Sequence, residues 1–339
     1  MNTYGKNFTI TLFGESHGKC VGVVMDGITP GLEISEEDFK DALLRRRNGD
    51  LPLLTHATTA RKEDDIPVFL SGILDGKATG SPVAIIFQNN KCRPSDYQTF
   101  KDQPRPSHAD YSSAIKYNGF NDIRGSGQFS GRMTLPLAAA GVVARKVLGA
   151  NGFDITIKAS VKTIAGQADT QKWEEMIHKA QAEGDSLGGE VECRVEGLRA
   201  GVGNPFFSSM ESEISRLAFS VPGVKGIQFG DFSDLQDGRN KASHLKGSEF
   251  NDPITDGSGH TSTNHSGGIN GGISNGNPVV FTLDIRPAAS ISKVQKSFNF
   301  RSQRVEEMSI GGRHDACIAL RCPVIAESIA AIVLADMLL

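Results

Sequence analysis

The chain has 339 residues and a formal net charge of -3 at pH 7, so it is long enough for a full hydrophobic core and lacks the basic field that attracts nucleic acid or acidic membranes. Its five cysteines are scattered without a CxxC pair, which predicts neither a disulfide framework nor a metal site and indicates a reducing cytoplasm. No signal-like N-terminus and no uncharged apolar run of about 18 residues are present, so no membrane span is expected. The composition is typical of a soluble enzyme.

Short segments rich in Val, Ile and Phe predict strands at residues 7–13, 21–25, 66–71, 82–87, 153–161, 189–196, 224–229 and 278–285. Apolar periodicity predicts helices at 36–47, 135–148, 171–183, 208–219 and 325–338. Ser35 is expected to cap the first helix, in which Phe39, Leu43 and Arg46 share one face. The second and last helices are apolar nearly all round and should be buried on every side. Because strands come in runs, we expect an α+β fold with central helices between sheets.

The domain organisation follows from the absence of a proline- or serine-rich linker, which predicts a single domain over residues 1–339. The one compositional break is segment 231–277, which is dense in Gly, Ser, Asn and Asp. Long irregular connections inside compact domains are usually functional, so we expect this segment to be an active-site loop region.

Arginines beside glycines predict an anionic ligand. The stretch from Arg124 to Gly131 precedes a helix, so its backbone N–H groups could cradle an anion, although a plain tight turn explains it equally well. Arg132 lies one turn into that helix and favours anion binding. Arg46 shares the apolar face of its own helix, and a buried arginine needs an anionic partner.

Two histidines and one aspartate are the strongest candidates for proton transfer. His17 and His108 lie in loops flanked by Gly or Pro and by charged residues, and histidine titrates near neutrality. Each could instead be a structural histidine. Asp315 follows a glycine turn, where a turn-capping role is about as plausible as catalysis.

Taken together, these clusters resemble the chorismate synthase family, in the same order and over nearly the whole chain. The motifs that carry the resemblance are Gly14-Glu15-Ser16-His17-Gly18, Arg45-Arg46-Arg47, Arg105-Pro-x-His108-Ala-Asp110, Gly268-Ile-x-Gly-Gly-Ile-Ser274 and Gly312-Arg-His-Asp315-x-Cys317. The resemblance implies a β-α-β sandwich with antiparallel sheets, usually assembled as a homotetramer. It also implies a carbon–oxygen lyase of the shikimate pathway, which eliminates phosphate from 5-enolpyruvylshikimate 3-phosphate to give chorismate, and which requires reduced FMN without net redox change.

The resemblance also implies a role for each matching residue. His17 would protonate or hold the flavin, His108 would protonate the departing phosphate, and Asp315, with Ser16 and Ser130, would take the proton from the flavin. The substrate would be bound by Arg46, Arg105, Arg132, Arg313 and Ser130. The flavin would be bound by Gln128, Phe129, Ser130, Glu249, Phe250, Gly271, Arg286, Pro287, Ala288, Ala289, Ser290 and Arg313.

The chain departs from the family pattern at several of these positions. Arg286-Pro287-Ala288 replaces the common Lys-Pro-Thr, and Gln128-Phe129-Ser130 replaces Arg-Ser-Ser, so two donors to the flavin are missing. We therefore expect weaker FMN affinity than the common pattern would give. Ser107 replaces a glycine, and His56 stands where a second substrate arginine is expected.

Two other functions are compatible with the same residues. A flavin- or NADPH-dependent oxidoreductase could use the same cleft, and NADPH could also serve the lyase by reducing its flavin. A non-catalytic protein that binds a phosphorylated metabolite would need the arginines but neither histidine. The near-neutral charge and scarce aromatic residues disfavour a nucleic-acid binder.

Overall fold

A computed structural model of the protein describes residues 1–51, 64–90, 94–235, 240–311 and 315–339. His56 and Arg313 therefore lie outside the described residues. The first sheet is antiparallel, with strand order β1-β2-β3-β7-β4. Its strands are β1 (Thr3–Tyr4), β2 (Thr9–Gly14), β3 (Cys20–Asp26), β4 (Val68–Ser71) and β7 (Val83–Gln88). Alternating burial along β7 turns Val83, Ile85 and Phe87 inward, as a strand with one packed face requires.

The second sheet is also antiparallel, with strand order β10-β13-β9-β8. Its strands are β8 (Thr156–Ile164), β9 (Gly189–Glu196), β10 (Val224–Phe229) and β13 (Val279–Ile285). The register pairs Phe281 of β13 with Cys193 of β9, and both side chains are fully buried. The strands predicted for both sheets are thus present, with bounds shifted by at most three residues.

Two apolar helices lie between the sheets. They are α3 (Thr134–Ala150) and α7 (Pro323–Leu338), which pack against each other; α3 also contacts β3, and α7 contacts β8 and β9. Gly141 allows the close approach, because a Cβ there would lie 2.4 Å from Cβ and Oγ of Ser328. This layered arrangement confirms the predicted α+β sandwich with central helices.

The remaining helices cover the edges of this sandwich. They are α1 (Lys40–Asn48), α2 (Asp110–Lys116), α4 (Trp173–Ala182), α5 (Met210–Ala218) and the single turn α6 (Gly247–Phe250). A short 3-10 turn at Glu36–Phe39 leads into α1, and Asp38 accepts a hydrogen bond from the backbone N–H of Ser35 at 2.8 Å. Phe39, Leu43 and Arg46 are buried, which confirms the predicted apolar face.

Three two-stranded hairpins complete the fold. They are β5 (Ile73–Leu74) with β6 (Lys77–Ala78), β11 (Ile269–Asn270) with β12 (Ile273–Ser274), and β14 (Gln295–Asn299) with β15 (Arg304–Met308). None of these three hairpins is predicted from the sequence, because the strands of the first two have only two residues each and the exposed strands of the third carry polar residues.

Within the described part of the chain, one helix is long and apolar enough to cross a membrane by length and composition alone, at Gly131–Ala150. Of its most apolar window, 67% is buried inside the protein, as in a core helix. The segment contains Arg145, whose Nη2 donates hydrogen bonds to the Ile157 carbonyl and to Glu327 at 3.1 and 3.0 Å. Burial of this helix between two sheets accounts for its composition.

Candidate active site

One cavity of about 310 Å³ gathers side chains from distant parts of the chain. Of the predicted site residues, it is lined by Ser16, His17, Arg46, Arg105, His108, Phe129, Ser130, Arg132, Arg286, Ala288, Ala289, Ser290 and Asp315. Among the described residues, six arginines but only two aspartates line it, namely Arg46, Arg47, Arg105, Arg132, Arg286 and Arg321 against Asp65 and Asp315. This excess of positive charge suits a ligand with several anionic groups.

A second cavity of about 810 Å³ adjoins the first and shares His108, Phe129 and Arg286 with it. Gln128 lines this second cavity and not the first. The two cavities together extend from the arginines that line the first cavity to the surface formed by β1 and α5.

Arg105 and Asp110 form a buried pair that organises one wall of the cavity. Nε and Nη2 of Arg105 donate to the two carboxylate oxygens of Asp110, each at 2.8 Å. Arg105 also donates to Oγ of Ser290 at 3.0 Å and to Oγ of Ser126 at 2.9 Å, and its guanidinium lies 4.5 Å from the ring centre of Phe100. Since most of its donors are engaged, Arg105 acts here as a fixed part of the wall.

Asp110 also orients the imidazole ring of His108. Oδ1 of Asp110 lies 2.7 Å from Nδ1 of His108. Burial alone would raise the pKa of Asp110, but hydrogen bonds from Arg105 and His108 hold the pKa well below its usual range. Because it is ionised, this carboxylate favours the tautomer of His108 with the proton on Nδ1, although Nη2 of Arg105 also lies 3.1 Å from that nitrogen. Nε2 is therefore the ring nitrogen that can gain or release a proton.

His17 packs against a tight loop that begins at Arg124. The loop runs through Gly125, Ser126 and Gly127 with positive φ angles of 57°, 72° and 54°. A Cβ at Gly125 would lie 1.8 Å from Nδ1 of His17, so only glycine allows the ring to sit there. The His17 ring packs edge-on against Tyr97, with ring centres 5.0 Å apart.

The arginine cluster is held by α1 and the turn before α3. Nε and Nη2 of Arg46 donate to Oγ1 of Thr134 and to the Gly131 carbonyl, each at 3.1 Å. Burial, together with the cations Arg321 and Arg132, lowers the pKa of Arg46 to about 9, so it is still protonated at neutral pH. Arg46 and Arg132 are both buried cations, and such a pair is well suited to bind an anion.

Arg132 is held on the same side by residues that flank strands β7 and β4 of the first sheet. Its Nε donates to Oδ1 of Asn89 at 2.6 Å, and its Nη1 donates to Oδ1 of Asp65 at 3.1 Å. Oδ2 of Asp65 also lies 3.8 Å from Nη1 of Arg46. Asp65 is not predicted from the sequence as a site residue, because the acidic stretch around it contains neither a glycine turn nor a histidine.

Asp315 lies at the far end of the cavity, beside the start of α7. Nη1 of Arg321 donates to Oδ2 of Asp315 at 2.8 Å, and Nε of Arg321 donates to the Arg46 carbonyl at 2.9 Å. Arg321 thus connects the Asp315 carboxylate to α1, although nothing in its Leu-Arg-Cys-Pro setting predicts this. Burial raises the pKa of Cys322 to about 12, so this cavity-lining thiol is not a nucleophile at neutral pH.

Several predicted flavin ligands lie outside both cavities. Glu249 caps α6 by accepting from the backbone N–H of Lys246 at 2.9 Å, and Phe250 packs against the buried ring of His265. Gly271 lies in the turn of the β11–β12 hairpin. None of the described residues of segment 231–277 lines either cavity. Their roles in flavin binding stay predictions.

Comparisons with known proteins identify the family of the chain. The family model described as "Chorismate synthase" matches residues 8–339 of the chain. A chorismate synthase of Chitinophaga pinensis is 48% identical, with 100% of this chain and 97% of the relative covered, and one of Methanobrevibacter smithii is 40% identical, covering 99% and 95%. A solved structure titled "Crystal Structure of Chorismate Synthase" has a TM-score of 0.71 at 24% identity, over 99% of this chain and 92% of that one, and supports the fold. The chain belongs to the chorismate synthase family, whose members are phosphate-eliminating lyases.

Proposed function

We propose that the chain converts 5-enolpyruvylshikimate 3-phosphate to chorismate by 1,4-anti elimination of phosphate, with reduced FMN as cofactor. The observation that carries this proposal is the convergence of His17, His108 and Asp315 in one arginine-lined cavity. The substrate has a phosphate and two carboxylates, and hydrogen bonds from charged arginines to such groups contribute roughly 1.5–3 kcal/mol each. Arg46 and Arg132 would bind these anions, and Arg105, most of whose donors are engaged, would position His108.

His108 would act as general acid toward the departing phosphate. Its Nδ1 is held by Asp110 at 2.7 Å, so the proton is delivered from Nε2. Phosphate leaves more readily when protonated, since the charge that develops on the bridging oxygen is neutralised as the C–O bond breaks. Asp315, with Ser16 and Ser130 in the same cavity wall, would take the proton from the flavin.

The cavity offers groups that fit FMN. Arg286 and Ser290 can bind an anionic tail, whereas Phe129, Pro222 and Ile318 provide apolar walls for a flat ring. When bound, reduced FMN would supply electron density to the breaking C–O bond and take up the hydrogen lost from the substrate ring, which finally leaves as a proton. His17 would hold the ring system from the loop at Gly125, where no side chain can intervene.

Further properties are proposed from family membership. The chain would act in the cytoplasm as a homotetramer, with NADPH as a possible source of electrons for the flavin. It would form a single domain, which is supported by a main apolar core that includes residues from Tyr4 to Ala335, beside a small cluster of Phe100, Met308 and Ile310. No observation on the described residues favours the oxidoreductase alternative.

Anaerobic turnover with photoreduced FMN tests the function directly. Chorismate, followed by its absorbance, and phosphate release should appear in equal amounts, with no net flavin oxidation. Omitting FMN, or supplying it oxidised under air, should abolish both signals. Absence of chorismate at saturating reduced FMN, with the protein folded, would overturn the proposal.

A further inference from the structure

The cavity contains two aspartate–arginine pairs whose geometries differ. In the first, Asp110 receives two donors of Arg105, both at 2.8 Å. In the second, Asp65 lies 3.1 Å from Nη1 of Arg132 and 3.8 Å from Nη1 of Arg46. The first pair is bidentate and tight, and the second leaves a gap on the Arg46 side. A loose contact of this kind is easier to exchange for another anion.

Asp65 occupies a position where two buried cations meet. The side chains of Asp65, Arg46 and Arg132 are only 5%, 8% and 7% exposed. Without a carboxylate nearby, two guanidinium groups with so little solvent would repel each other strongly. Among the described residues, Asp65 supplies the carboxylate within 4 Å of both.

We propose that Asp65 is an internal counter-ion that takes, before a ligand binds, the place of an anionic group of the substrate. It keeps Arg46 and Arg132 charged and ordered until the ligand's oxyanion binds between them. The ligand then has to compete with Asp65, which weakens anion binding and favours release of the phosphate product. This inference rests on the proposed function only in assuming that the cavity receives an anionic substrate.

The test compares anion binding by the wild type with that by Asp65→Asn. Asp65 has a φ angle of 49°, a left-handed conformation that asparagine and glycine also adopt, so the substitution keeps the backbone. The probe is inorganic phosphate, titrated by calorimetry into the full chain without flavin, at constant ionic strength maintained with NaCl. Shikimate, which has a carboxylate but no phosphate, is the second probe and shows which group faces Asp65.

We expect Asp65→Asn to bind one of the two probes about tenfold more tightly, equivalent to about 1.4 kcal/mol. Without a ligand, the variant should melt at a lower temperature than the wild type. The probe that binds more tightly should raise the melting temperature of the variant by more than it raises that of the wild type. Asp65→Gly should show the same tightening, and it serves as the measurement if the asparagine variant does not fold. Inorganic phosphate should also become a stronger product inhibitor if phosphate is the tightened probe.

The matched control is Asp231→Asn, which removes a carboxylate paired with Arg194 at 2.8 Å, outside both cavities. It should leave affinity for both probes unchanged. Equal or weaker binding of both probes by the Asp65 variants would overturn the proposal and make Asp65 a purely structural support. Wild-type turnover of 5-enolpyruvylshikimate 3-phosphate is measured separately, so failure of the proposed function is distinguishable from this result.

Discussion

Asp110 and His108 are joined by a 2.7 Å contact between Oδ1 and Nδ1, and the same carboxylate receives both donors of Arg105. The carboxylate is therefore shared between a cation that fixes it and an imidazole that it orients. This arrangement explains how one short motif, Arg105 to Asp110, can supply both a rigid wall and a proton donor.

Asp110→Asn should reduce kcat by at least about a hundredfold, because the amide no longer holds Nδ1 of His108 in the protonated state. His108→Ala should cost about 10²–10⁴ in kcat. If Asp110 acts through His108, the double variant should be no slower than His108→Ala alone. Multiplicative losses in the double variant would contradict this coupling, and circular dichroism would confirm that all three variants fold.

The same pair predicts a pH-dependent stability difference. The folded-state pKa of Asp110 lies below its unfolded value of about 3.9, so its stabilisation is present above that value and is lost as the pH falls toward the folded pKa. The gap in melting temperature between the wild type and Asp110→Asn should therefore be largest near neutrality and shrink below about pH 4. A gap that stays constant between pH 7 and pH 3 would show that the charge of Asp110 does not stabilise the fold.

Gly125→Ala should nearly abolish turnover, since the new Cβ would lie 1.8 Å from Nδ1 of His17 and the residue has a positive φ. The matched control is Gly131→Ala in the same loop, where a Cβ meets no atom within 4 Å. The control should retain most of its activity. Steady-state kinetics on both variants, with melting temperatures, would separate displacement of His17 from general damage to the loop.

Gly141→Ala should destabilise the protein by about 1–3 kcal/mol, because its Cβ would overlap Ser328 where α3 crosses α7. Gly149→Ala, in the same helix but exposed and without a neighbour within 4 Å, should be neutral or stabilising by up to about 1 kcal/mol. Urea unfolding of both variants measures the difference. Similar losses in the two would mean that helix packing tolerates the extra methyl group.

Ala288→Thr should tighten FMN binding several-fold, since Ala288 lines the cavity and a hydroxyl would restore one hydrogen bond worth roughly 0.5–1.5 kcal/mol. Gln128→Arg should have a smaller effect on FMN affinity, because Gln128 lines only the adjoining cavity. Fluorescence titration of FMN in the presence of substrate would test both. Sub-micromolar affinity in the wild type would contradict the expected weakness of its flavin site.

The sequence predicts the two sheets and the central helices because their apolar patterns are strong. The β14–β15 hairpin and α2 escape prediction, since the first has polar, exposed strands and the second has only seven residues. For the site, His17, His108 and Arg46 are found through their glycine, proline or helical settings. Asp65 and Arg321 are not, because their roles depend on partners far away in the chain.

The position of α7 constrains how the protein can be made. This helix follows both main sheets in chain order yet lies between them, and it comes directly after Asp315 and Arg321. A nascent chain that has released both sheets from the ribosome therefore still exposes the apolar faces that α7 will cover. Until that helix emerges, we expect the incomplete chain to be prone to aggregation, because these apolar faces are still uncovered.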